Sequence, residues 1–96
     1  MDRKYEMVYI LNPTLSDEEL AAVTDRIKSN VENTSATIDN VDDWGRKRLA
    51  YEIDDQKEGN YTVMSFSADA EAPKEIERLM KITDGVMRFL IVRQPA

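Results

Sequence analysis

Apolar residues recur along this chain with two different spacings, and the change-overs mark its elements. From Lys4 to Leu11 the run is rich in Tyr, Met, Val and Ile, with Tyr5, Met7, Tyr9 and Leu11 alternating with Val8 and Ile10. This is strand patterning, and Asn12-Pro13 closes it. Leu20, Val23, Ile27 and Val31 then follow at helical spacing. Ser16 starts that helix: its hydroxyl can accept from the amide of Glu19 while Glu19 reaches back, and Asp17, Glu18 and Glu19 suit the positive end of the helix dipole. Between Ala36 and Ile53 the pattern is extended but interrupted, with Ala36-Thr37-Ile38 and Val41 giving way to Asp42-Asp43-Trp44-Gly45. One long bent strand with a bulge at Gly45 accounts for it. Asp54 to Glu58 reads as a polar connection and Asn60 to Ala68 as a third strand carrying Tyr61, Val63, Met64 and Phe66, so that the two strands form a hairpin. Pro73 fits the first turn of a second helix, Ile76, Leu79, Met80 and Thr83 mark its inner face, and Gly85 stops it. Val86 to Arg93 is the last strand.

The order β-α-β-β-α-β is the split βαβ arrangement, an α+β fold of ferredoxin-like type. Right-handed crossovers give a four-stranded antiparallel sheet in spatial order 4-1-3-2 with both helices on one face. Residues 1–96 form a single domain on this reading, since a chain of 96 residues needs most of its apolar side chains in one core. The first and last strands, read as central, are apolar on both sides, with Val8 and Ile10 backing the first and Met87, Phe89 and Ile91 backing Val86, Leu90 and Val92. Two helices cover only one face. Apolar residues left on the other face point to a partner, or else to the half-exposed aromatics that small sheets commonly carry.

Composition narrows the chemistry. The chain has no cysteine and no histidine, which removes disulfides, thiolate zinc sites, a thiol nucleophile and the commonest general base. No apolar stretch has the form of a signal peptide or approaches the roughly 20 residues that span a bilayer, so a cytoplasmic, soluble, non-enzymatic protein without membrane association is expected. Asp42-Asp43 and Asp54-Asp55 could hold a hard cation or perform acid–base work, but both adjoin predicted turns, where Asp bonds the local backbone. Neither a metal site nor a cofactor is expected. Val8 to Asn12 has the look of the first-strand motif of RNA-recognition domains, yet Gly59 to Val63 lacks the matching stacking aromatics, and core packing explains Tyr9 better.

Nineteen acids against 13 bases give a formal charge of -6, and within this acidic chain Arg46, Lys47 and Arg48 are the only three consecutive basic residues. Alternation along the strand sends Lys47, Leu49, Tyr51 and Ile53 to one side and Arg46, Arg48 and Ala50 to the other. Guanidiniums in this setting suit phosphates, with a charged strand edge guarded against aggregation as the competing explanation. Arg88 and Arg93 on an acid-free last strand, and Arg3-Lys4 on its expected neighbour, are further positive positions.

The stretch from Gly45 to Ile53, a glycine, a short basic run, then Leu49-Ala50-Tyr51 and Ile53 two residues on, resembles the signature of the bacterial small-subunit ribosomal protein six family. The likeness extends to the opening Tyr5-Glu6 strand ending in Leu11-Asn12-Pro13, the helix from Ser16, Gly59 and Tyr61 on the third strand, and the short arginine-bearing last strand. It implies a structural constituent of the small ribosomal subunit that binds the central domain of small-subunit ribosomal RNA together with small-subunit ribosomal protein eighteen. On that implication Arg46, Lys47 and Arg48 are the main RNA contacts, with Arg3, Lys4, Arg88 and Arg93 as lesser ones. Gly45 sets the bend and Tyr51 packs or stacks beside it. Glu52 stands where many members carry proline, and Asp54 where the signature expects a basic or small residue, so phosphate contact at the hairpin end is expected to be weaker. Ending at Ala96, the chain is also expected to lack the extended C-terminal tail of some members. From another class, a ferredoxin-like module for protein interaction or regulatory dimerisation, without RNA binding, also fits the residues and makes the acidic charge no puzzle.

Overall fold

The computed structural model describes residues 2–53 and 56–94, which form β1 (Arg3–Leu11), α1 (Asp17–Glu32), β2 (Thr37–Ile53), β3 (Gln56–Ala68), α2 (Ala72–Lys81) and β4 (Val86–Arg93). The strands make one antiparallel sheet in the order β2-β3-β1-β4, which is the expected 4-1-3-2 counted from the other edge. Tyr5, Met7 and Tyr9 of β1 stand opposite Phe66, Met64 and Thr62 of β3 on one side and Arg93, Ile91 and Phe89 of β4 on the other. Alternation therefore gathers the largest side chains on one face, and Ile27 and Val31 of α1 with Ile76 and Met80 of α2 close over it. Tyr5 stacks on Phe66 with ring centroids 5.5 Å apart. Each such buried side chain is worth about 1.5–3 kcal/mol, so this layer, rather than helix propensity, holds the two helices down.

Local chemistry sets the helix starts as expected. Ser16 Oγ accepts from the Glu19 amide at 3.1 Å and Glu19 Oε1 accepts from the Ser16 amide at 3.0 Å, which completes the capping box of α1. For α2, Pro73 lies in the first turn and Asp69 Oδ1 accepts from the amides of Glu71 and Ala72, both at 3.0 Å. Hydrogen bonds from the Ser35 side chain and from those two amides hold the Asp69 carboxyl below its ordinary range.

Three expectations need correction. Residues Gln56 to Glu58 belong to β3 rather than to a connection, and Ile53 pairs with Gln56. The hairpin stem runs beyond the end of β1, where no helix covers it; its helix-side residues are polar because that face is solvated, and its register shifts between Arg48 and Ile53. The Asp54-Asp55 turn itself lies outside the described residues. Second, α2 ends at Lys81, and Thr83 is buried in the following turn, where its hydroxyl donates to the carbonyl of Leu79 at 2.6 Å. Gly85, at φ 93°, serves the turn into β4 rather than the helix end. Third, β4 is an edge strand and β3 is central beside β1, so the second doubly covered strand is not the one expected.

The bulge is at the expected place. Register shifts between Asp43 and Gly45, Gly45 has φ 75°, and Asp43 Oδ1 accepts from the Gly45 amide at 2.8 Å. Asp43 stands opposite Thr62, which faces the helices, whereas Gly45 stands opposite Tyr61, which faces away from them. The extra residue thus reverses the phase of the strand just before the basic run.

Candidate nucleic-acid and partner interface

Beyond the bulge, Arg46 and Arg48 stand opposite Asn60 and Glu58 on the helix side of the sheet, while Lys47 stands opposite Gly59 on the open side. The alternation expected from the sequence holds across the basic run and divides its three residues between two surfaces, but the register shifts again before Ile53, which pairs with Gln56 in the helix-side series rather than joining the side of Lys47. On the helix side the hairpin stem passes the β1–α1 turn. Arg46 Nη2 donates to the carbonyl of Pro13 at 2.8 Å, and its Nη1 lies 3.8 Å from Glu58 Oε2. Pro13, Thr14, Arg46, Arg48, Gln56, Lys57 and Glu58 line an open notch of about 600 Å³ there. Among its described lining residues three are cationic and one is anionic, so they make the notch positive inside an acidic molecule. Arg48 makes no hydrogen bond or ion pair among the described residues, and both arginines are exposed.

On the open side the stem curls over the sheet. Leu49 is buried against the strip at Gly59 and Ile10, and Tyr51 reaches β4, where Arg88 Nη1 donates to the Tyr51 hydroxyl and the Arg88 guanidinium lies 5.4 Å from the centre of its ring. Lys47 Nζ sits 5.8 Å over the centre of the Trp44 ring, whose indole N–H donates to Asp42 Oδ2 at 2.9 Å. Next to this stem the open face carries Val8, Ile10, Val63 and Tyr61, with Leu90 and Val92 more exposed. Leu90 is 61% exposed, Tyr51 60%, Trp44 50% and Val92 48%. This is one surface of large apolar groups rather than scattered singles, as docking surfaces are.

The other basic candidates separate. Arg88 joins the signature strand through Tyr51. Arg3, Lys4 and Arg93 are backbone neighbours as expected, with Arg93 opposite Tyr5 and the Gln94 amide donating to the Lys4 carbonyl, but alternation puts Lys4 on the open side and Arg3 and Arg93 on the helix side, and all three are at the far end of β1. Six residues of strand between Tyr5 and Leu11 put that group about 20 Å from the basic run. Trp44, Pro13 and Glu58 are site residues that the sequence reading missed. The single tryptophan next to the bulge was the available signal for the first; the other two needed the register.

Asp42 and Asp43 both bond local donors, as expected, but they do so inside β2 at its bulge rather than beside a turn. Among the described residues no group of three or more acidic side chains is placed to hold a metal ion, and no helix is long and apolar enough to cross a membrane. Tyr9 is fully buried core, as expected. Its hydroxyl is the one buried side-chain atom among the described residues without a hydrogen-bond partner of good geometry; burial pushes its pKa up to about 12, which neighbouring Thr62 partly offsets.

Comparison with known proteins is consistent throughout the chain. Residues 4–93 match the model of a family described as ribosomal protein S6. Small ribosomal subunit protein bS6 of Clostridium botulinum (strain Hall) is 51% identical over 92 residues, covering 96% of this chain and 98% of that one. The same protein of Clostridium novyi is 47% identical over 90 residues, with 94% and 95% covered. Among solved structures, 30S ribosomal protein S6 from Thermotoga maritima superposes with a TM-score of 0.92 at 32% identity, covering 98% of this chain and 89% of that one.

Proposed function

Since the chain belongs to the ribosomal protein S6 family, and is accordingly a structural, non-enzymatic protein of the small ribosomal subunit, we propose that it binds the central domain of small-subunit ribosomal RNA jointly with small-subunit ribosomal protein eighteen. One observation carries the reading. The strand from Gly45 to Ile53 offers Arg46 and Arg48 to one side and Leu49 and Tyr51 to the other, at the border of a large apolar face. A protein of charge -6 with so few clustered cations has little affinity for RNA by charge alone, since phosphate contacts of this kind typically give a dissociation constant of about 10⁻⁴ to 10⁻⁶ M. A small basic partner on the apolar face supplies the rest: apolar area for stability, opposite charge for rapid encounter, and a high effective concentration of the arginines at the RNA. Arg46 and Arg48 are the RNA-facing candidates near this border, Lys47 and Arg88 are the cations on its open, partner-facing side, and Arg3, Lys4 and Arg93 form a separate, lesser group. Gly45, Leu49, Ala50, Tyr51 and Ile53 shape the strand that presents them.

Titrating a labelled central-domain transcript with this protein, alone and with protein eighteen, tests the proposal. Weak binding alone and strongly cooperative binding with the partner is expected, and charge reversal of Arg46, Lys47 and Arg48 together should abolish it with an unchanged circular dichroism spectrum. Equal affinity with and without the partner removes the heterodimer from the mechanism.

A further inference from the structure

The basic run is commonly counted as one patch when read as sequence, yet its three members are in three different situations. The guanidinium of Arg46 is engaged intramolecularly: its bond to the Pro13 carbonyl ties the hairpin stem to the β1–α1 turn across 33 residues of chain, and its ion pair with Glu58 links the two strands of the stem. Lys47 is on the opposite side of the sheet, over Trp44. Of the two arginines lining the notch, Arg48 alone has its fork unengaged among the described residues, and Lys57 adds a point charge without the bidentate geometry of a guanidinium. The same notch has walls from two elements, Pro13-Thr14 on one side and Gln56 to Glu58 on the other, and Arg46 spans them. Such a positive recess, walled by polar groups and open to one side, fits a single phosphate group bonded bidentately by arginine better than it fits an apolar or planar ligand.

We propose that the notch between the β1–α1 turn and the β2–β3 stem seats one backbone phosphodiester of the RNA, with Arg48 as its ligand, Arg46 as the positioning residue that fixes the notch walls, and Lys47 excluded from the RNA side. This rests on the RNA-binding reading above and refines it: the signature strand is two-sided, with odd-numbered Lys47, Leu49 and Tyr51 serving the protein face and even-numbered Arg46 and Arg48 the RNA face. Glu58 limits the seat to one phosphate, because a second anion would meet its carboxylate.

The test measures affinity for a labelled central-domain transcript over a range of salt concentrations, with protein eighteen in excess throughout, for the wild type and for Arg48→Gln, Lys47→Gln and Arg46→Gln. One neutralised phosphate contributes about 0.7 to 0.9 to the slope of log affinity against log salt. Arg48→Gln should lose that much slope, and its melting temperature should match the wild type because the side chain is exposed. Lys47→Gln should leave the slope unchanged. Arg46→Gln should weaken binding and lower the melting temperature while leaving the slope at the wild-type value, a combination that distinguishes a strut from a phosphate ligand. An Arg48→Gln slope equal to wild type, or a Lys47→Gln loss as large as that expected of Arg48→Gln, overturns the assignment while leaving RNA binding intact. No binding by the wild type in the presence of the partner overturns the RNA reading itself.

Discussion

Replacing Gly59 by alanine should destabilise the protein through one identifiable collision. Gly59 lies on β3 facing the open side, beneath the curled stem, and is itself buried. A β-carbon there runs into Cγ2 of Ile10, with Leu49 Cδ2 at 3.7 Å and the Leu11 carbonyl oxygen at 3.6 Å closing the remaining space. The Ile10 methyl is attached at a branched β-carbon, so it moves only if χ1 leaves its strand rotamer, and Ile10 is 8% exposed. Overpacking of this kind costs about 1–3 kcal/mol. Restricting the unfolded chain returns about 0.4–1 kcal/mol, which leaves a net loss on the order of 1–2 kcal/mol. For a domain of this size that corresponds to a fall in melting temperature of roughly 5–15 °C. Urea denaturation followed by tryptophan fluorescence gives the free energy, and a double-mutant cycle assigns it. In an Ile10→Ala background the Gly59→Ala cost should disappear, whereas in Ile10→Val, which keeps its γ-methyls, it should persist. If Gly59→Ala is as stable as the wild type, or if its cost is the same in both backgrounds, the collision with Ile10 is not what requires glycine here.

Three further outcomes follow from the same structure. Gly45→Val should cost about 1–3 kcal/mol, all of it backbone strain, because nothing lies within 4 Å of the added β-carbon while φ is 75°; Gly45→Asn should cost less, and equal denaturation midpoints for the two would contradict the positive φ. Tyr9→Phe removes a buried hydroxyl without a good partner, a defect costing about 1–3 kcal/mol, so its melting temperature should rise, and a fall would reveal a partner for that oxygen. The Asp69 carboxyl titrates lower folded than unfolded, so its stabilisation is present above the ordinary aspartate range and is lost as pH falls through its folded value. Denaturation midpoints taken from about pH 6 down to about pH 2 should therefore decline less steeply for Asp69→Asn than for the wild type, and parallel curves would remove Asp69 as the α2 cap.

The fold was legible wherever one face of an element is buried. Met7, Tyr9 and Leu11, or Ile27 and Val31, repeat with the period of the element because every second or every third-to-fourth residue must leave water. Capping was legible for the same local reason, through Ser16 and Glu19. The start of β3 was not, because Gln56 and Glu58 pair on the side of the stem that no helix covers, and strand pairing on a solvated face leaves no hydrophobic trace. Nor was the end of α2, since buried Thr83 keeps the helical spacing after the helix has stopped and bonds back to Leu79. At the site, the identity of the basic residues and their alternation were readable from the chain, but their engagement was not. Pro13 and Glu58, which hold Arg46, and Trp44, beneath Lys47, are brought in by register and by the bulge, and both depend on pairings across the sheet.

The bulge at Gly45 has a consequence for how this protein tolerates change. Because it offsets the strand by one position, it decides which alternate residues meet the notch and which meet the apolar face. Substitutions on one parity can tune one surface while leaving the other untouched, so the two surfaces can drift independently in charge and size. A single-residue deletion between Trp44 and Leu49 has no such freedom: it restores the original phase, carries Leu49 and Tyr51 to the notch and the arginines to the apolar face, and exchanges both surfaces at once. Length, more than composition, is therefore the constrained property of this strand, and insertions or deletions there should be purged even where every individual residue is replaceable.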